Sequence, residues 1–246
     1  MWSLIAVAQA SILVDLPAAE ALVARGATVL DSRSRVDFYR GHIPGAQRVD
    51  WRIGTVGGLL SGKLGEPGGV ATAFAALGVD NQRAVLVVGA WEEGWGEEGR
   101  IAWDLAYLGH GDVHLLRGGA GVWRGPWEYL PTSASPGHFT AHPRPELRAD
   151  IASIQGGSVT LVDVREPEEY AGKAAYGEAR GGHIPGAISR PWKPLVEGRA
   201  EIPFGPLVTY CTGGVRSAMA WVYLSDAGYP VANYDGGWWE WAREVP

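Results

Sequence analysis

Cysteine is nearly missing: the 246 residues contain one, Cys211. A single thiol excludes an internal disulfide, which fits a reducing, cytoplasmic setting. The chain also has no run of Lys or Arg, and 21 basic against 27 acidic residues give a net charge of −6. That balance excludes a nucleic-acid-binding surface. No segment reaches the roughly 18–20 consecutive apolar residues of a membrane span. The opening stretch MWSLIAVAQASILVDL ends in an Ala-x-Ala-like run but lacks a basic start. Its apolar character alternates on to Val14, so a first strand is predicted there rather than a signal peptide. His138 and His142 have no cluster of partner ligands near them, so neither a metal nor a cofactor is expected. What remains is 46% hydrophobic and 20% charged, the make-up of an ordinary globular protein, with twelve tryptophans. The length allows one large domain or two of about 120 residues.

Cys211 lies in LVTYCTGGVRSAMAWVYL. Leu207 to Tyr210 read as a buried strand, followed by a glycine-bearing loop and a helix. The loop Thr212-Gly213-Gly214-Val215-Arg216 can curl so that its backbone N–H groups point at the sulfur. The positive end of the following helix and the guanidinium of Arg216 add to that field. Each effect favours the thiolate, which is the attacking form of cysteine.

The chain repeats itself. ATVLDSR at 27–33 corresponds to VTLVDVR at 159–165, and GHIPGA occurs at 41–46 and again at 182–187. AVLVV at 84–88 corresponds to PLVTY at 206–210. Each leads to an arginine, Arg100 or Arg216, and seven residues on to Tyr-Leu. VHLLRGG at 113–119 corresponds to VANYDGG at 231–237. Strands alternating with helical stretches predict an α/β fold with two mainly parallel sheets flanked by helices. Ligands then gather beyond the strands' carboxyl ends, where the Cys211 loop falls. His42 and His183 precede identical Ile-Pro-Gly turns, and because one half has no cysteine they are read as turn braces, not bases. Asp31/Arg33 and Asp163/Arg165 are read as ties to neighbouring backbone. A Pro-, Ser- and Gly-bearing stretch separates a unit over 1–127 from one over 138–246, with a linker at 128–137.

Phe38-x-x-x-His42-Ile43-Pro44-Gly45-Ala46-x-x-Val49 and Val231-x-x-Tyr234-Asp235-Gly236-Gly237-Trp238-x-Glu240-Trp241 resemble the two signatures of the rhodanese family of sulfurtransferases in its tandem two-domain form. The resemblance spans nearly the whole chain. It implies an inactive first domain and a catalytic second one, with Cys211 as the persulfide carrier. The position equivalent to Cys211 in the first half falls near Ala90, ahead of the loop from Trp91 to Gly99. The four glutamates of that loop would repel an anion, so a wall or lid is expected, with its tryptophans against the Cys211 pocket. The implied reaction moves a sulfane sulfur from thiosulfate through the Cys211 persulfide to cyanide or a thiol, in ping-pong fashion. The partners are thus a small anionic donor and a thiophilic acceptor. Thr212, Gly213, Gly214, Val215 and Arg216 would stabilise the sulfur anion, and Arg216 would also hold the donor. Arg180, in the insertion 173–181, matches a substrate-contacting arginine of related tandem enzymes.

Three positions depart from the family pattern. Glu169 stands before Tyr170 where some relatives carry a substrate-binding arginine. CTGGVR matches neither the doubly basic loop of typical thiosulfate enzymes nor the CGSGVT-like loop of mercaptopyruvate enzymes. The stretch from Trp192 to Pro206 is short, so a helix there is expected to be lost or reduced. The alternatives are a 3-mercaptopyruvate sulfurtransferase, a phosphatase or arsenate reductase, and a non-catalytic binding module. Phosphatases of the related fold place five residues between Cys and Arg; here there are four, a ring better sized for one sulfur than for phosphate.

Overall fold

The computed structural model describes residues 11–246; most of the apolar opening read as a strand lies outside them. The first half runs β1 (Leu13–Val14), α1 (Leu16–Ala24), β2 (Thr28–Asp31), α2 (Arg35–Tyr39), β3 (Gln47–Arg48), α3 (Pro67–Ala76), β4 (Val85–Val88), α4 (Glu97–Tyr107) and β5 (Val113–Leu116). The second runs α5 (Ile151–Gln155), β6 (Thr160–Asp163), α6 (Pro167–Tyr170), β7 (Ile188–Ser189), α7 (Trp192–Val196), β8 (Leu207–Tyr210), α8 (Val215–Asp226), β9 (Val231–Tyr234) and α9 (Gly237–Glu244). α7 is the reduced helix expected after Trp192.

Every strand pair within the two sheets is parallel, in the orders β1-β5-β4-β2-β3 and β7-β6-β8-β9. Parallel sheets are covered on both faces, so their central strands are apolar throughout. Val85-Leu86-Val87-Val88 fulfil this, being fully buried. The registers are equivalent: Asp31 pairs with Val88, and Asp163 with Tyr210. One residue beyond lies Gly89 in one half and Cys211 in the other. The counterpart of Cys211 is therefore Gly89, the neighbour of Ala90 and the residue after AVLVV as Cys211 is the residue after PLVTY.

The turns are braced twice over in the same way. His42 Nδ1 lies 3.0 Å from the Phe38 carbonyl and its ring stacks on Phe38; His183 Nδ1 lies 2.9 Å from the Tyr170 carbonyl and stacks on Tyr170. Arg33, paired with Asp31, donates to the Gly41 carbonyl, and Arg165, paired with Asp163, to that of Gly182. These residues are occupied in holding backbone.

α4 and α8 cross in close contact, where a side chain on Gly99 would collide with the Met219 backbone. One apolar core runs through this crossing and joins Trp103 and Leu105 to Trp221 and Val222. The Asp226 carboxylate at the end of α8 accepts from the amides of Ile12 and Leu13, both at 2.7 Å. No helix among the described residues is long and apolar enough to cross a membrane.

Candidate active site

Cys211 follows the central strand β8 at its carboxyl end and is buried. The chain must then turn sharply into α8. Gly214 makes that turn with φ +75°, and the Asp235 carbonyl leaves no room for a side chain there. A side chain on Gly213 would collide with the Trp239 ring. The carbonyls of Cys211 and Thr212 accept from the amides of Trp238 (2.8 Å) and Trp239 (2.9 Å), so α9 holds the loop from behind.

Among the described residues, none of the amides of Thr212 to Arg216 donates to a protein acceptor. The first amides of any helix lack intrahelical partners. Here the loop extends that set of unpaired donors at the positive end of α8. Ser217 Oγ lies 3.6 Å from Sγ and donates to it. Ser217 was not legible as a site residue, although it sits one helical turn into the run that follows Cys211.

A cavity of about 220 Å³ opens over the sulfur. Cys211, Thr212, Gly213, Val215 and Arg216 form its base, and its walls are Trp51, Trp95, Glu97, Tyr176 and Trp239. Trp95 and Glu97 thus make the loop of the first half a wall of this pocket. Trp51 and Tyr176 carry no motif that would have placed them here. Arg180 does not line the cavity: its guanidinium lies over the Trp238 ring, 5.7 Å from the centroid, and its carbonyl accepts from Trp238 Nε1.

Arg216 reaches the base but is already engaged. Its Nη1 donates to Glu169 Oε2 at 2.6 Å, and its Nη2 to Glu169 Oε1 and Thr212 Oγ1, both at 2.8 Å. Thr212 Oγ1 in turn donates to Glu169 Oε1 at 2.8 Å, closing a ring of three side chains. Burial opposes the charge on Glu169, but the hydrogen bond and charge of Arg216, then Thr212, hold its carboxyl below the usual range. Burial opposes the charge on Arg216 too, yet Glu169 and the sulfur raise its guanidinium above its ordinary value. Both ends stay ionised. A buried guanidinium requires such a counter-charge; that requirement was the available signal for Glu169.

The rhodanese-like domain model matches the chain twice, over residues 15–125 and 149–244. The chain is similar to the sulfur carrier protein TtuD of Thermus thermophilus, at 34% identity, covering 83% of this chain and 84% of that protein. It is also similar to a thiosulfate sulfurtransferase of Corynebacterium glutamicum, at 33% identity, with 83% and 78% covered. In fold it is similar to SseA from Escherichia coli, described as a 3-mercaptopyruvate sulfotransferase, with a TM-score of 0.79, 24% identity and 93% and 99% of the two chains covered.

Proposed function

The chain belongs to the rhodanese-like domain family, with two copies of the domain, and from that premise we propose that it is a sulfurtransferase working through a persulfide on Cys211. The observation that carries this reading is the row of amides, Thr212 to Arg216, that follows a single buried sulfur and has no protein partner among the described residues. The Cys211 thiolate attacks the outer sulfur of thiosulfate. The donor's S–S bond breaks and sulfite leaves with the electron pair, while Cys211 keeps the transferred sulfur as a persulfide. A thiophilic acceptor, cyanide or a thiol, then attacks that outer sulfur and frees the thiolate. Charge resides on sulfur at the start and end of each step, and these amides supply fixed donors for it without reorganisation.

The division of labour follows the chain: the unit over 1–127 serves as scaffold and wall, and the unit over 138–246 carries the chemistry. The relatives' names agree with sulfur handling, and a lone thiol suits a reducing cytoplasm. The test is incubation with thiosulfate followed by mass spectrometry. We expect a gain of one sulfur atom, mapped to Cys211 and released as thiocyanate by cyanide. Cys211→Ser is expected to lose both the adduct and turnover with an unchanged melting curve; a turning-over Cys211→Ser protein defeats the reading. Running the assay with mercaptopyruvate beside thiosulfate ranks the two donors.

A further inference from the structure

We infer that Glu169 sets which donors the Cys211 site accepts: by closing Arg216 into a buried ring, it turns the cavity away from dianions and toward sulfane-sulfur donors of low charge, such as an organic persulfide. The inference rests on the sulfur-transfer reading and adds a substrate class to it.

The charges at the cavity carry the inference. Arg216 is the only basic residue lining it among the described residues, and Glu97 is an acidic one. Both terminal nitrogens of Arg216 are committed to Glu169 and Thr212. The pair is almost fully buried, with side-chain exposures of 4% and 3%. A positive charge matched by a carboxylate at 2.6 Å presents little net field to a ligand. The Arg216 guanidinium also lies 5.4 Å from the Trp95 ring centroid and 5.9 Å from that of Tyr176. It is thus held by aromatic faces as well as by Glu169. The remaining wall is ring surface from Trp51, Trp95, Tyr176 and Trp239. Such a wall accepts an organic group more readily than a hydrated dianion, which would have to shed its water without a free counter-charge.

With a persulfide donor R–S–SH the step balances simply. The Cys211 thiolate attacks the outer sulfur, the donor's S–S bond breaks, and R–S⁻ leaves with the pair. The proton stays on the transferred sulfur, giving Cys211–S–SH. No dianion enters or leaves.

The alternative is that the ring only braces the loop. The two roles separate by ligand charge. Thiosulfate (a dianion) and methanethiosulfonate (a monoanion with the same sulfane sulfur) are titrated calorimetrically into Cys211→Ser protein, in which no transfer occurs. Adding Glu169→Gln keeps the shape and removes one charge. We expect thiosulfate to tighten about tenfold and methanethiosulfonate about threefold, because the Coulomb gain scales with ligand charge. Glu169→Asp, which keeps the charge, is expected to tighten neither. Thr212→Val, which opens the ring while keeping the Glu169 charge, is expected to shift in the same direction by less, and it serves if Glu169→Gln melts early. In protein retaining Cys211, the KM for thiosulfate should fall in the same ratio. Equal shifts for both anions, no shift, or no binding of either anion to any variant overturns the inference. Loss of the sulfur adduct on wild-type Cys211 overturns the sulfur-transfer reading instead, and the binding comparison is read independently of it.

Discussion

The loops after β4 and β8 start from the same register and end differently. After Cys211, five successive amides have no protein partner among the described residues. After Gly89, three of the five equivalent amides are engaged: Glu93 and Gly94 donate to the carbonyls of Ala90 and Trp91, and Trp91 to Glu98 Oε1 at 2.8 Å; Trp95, the next residue, donates to Glu97. Glu98 is turned inward, and a side chain on Gly89 would collide with its carboxyl group. The first half turns its own carboxylate onto one amide of this loop, that of Trp91. It bears a cost, since Trp91 takes φ +54°, a conformation worth roughly 1–3 kcal/mol of strain. Glu98 is buried with Oε2 unpartnered, and burial pushes its carboxyl up to about 7. The two loops thus differ twice over: in the residue that ends the strand, Gly89 against Cys211, and in how many of the following amides find a protein partner.

That contrast can be broken most severely at Arg216. Arg216→Ala strands the Glu169 carboxylate in a buried site, and we expect a loss of about 3–5 kcal/mol in urea unfolding. Adding Glu169→Gln should recover much of it. Next in size, Gly89→Cys places a thiol at the register of Cys211, against Glu98. Overpacking should cost about 1–3 kcal/mol. Mass spectrometry after thiosulfate treatment in the Cys211→Ser background should find no added sulfur on it, because the Glu98 carboxyl group occupies the space beside it and takes the Trp91 amide. The smallest effect concerns Glu98 alone. Its carboxyl is raised from 4.5 to about 7, so the folded chain keeps a proton that the unfolded chain releases. Stability therefore falls as pH climbs from about 4.5 to about 7 and levels above that. Glu98→Gln should flatten this slope and, at pH 8, exceed the parent by about 1–2 kcal/mol in denaturant melts, allowing for a weaker bond to Trp91.

Much of the fold was legible because strand periodicity and the duplicated GHIPGA turn are local signals. The paired braces at His42 and His183 followed from comparing one half with the other. The loop from Cys211 to Arg216 was legible for the same reason: strand, glycines and helix lie side by side in the chain. What was hidden is long-range. Glu169 lies 47 residues from Arg216, and its role appears only when α6 brings the two together. Trp51 and Tyr176 reach the pocket from opposite halves. Gly89 follows AVLVV as Cys211 follows PLVTY, and the strand registers give the same equivalence.

Asp226 gives the helix α8 a second duty. At one end the helix meets the loop that follows Cys211; at the other, 12 residues on and roughly 18 Å away, its carboxylate grips the edge strand of the opposite sheet. The helix behaves as a tie rod anchored in both halves. The helix that follows Cys211 in the second half is in this way fastened to the backbone of the first.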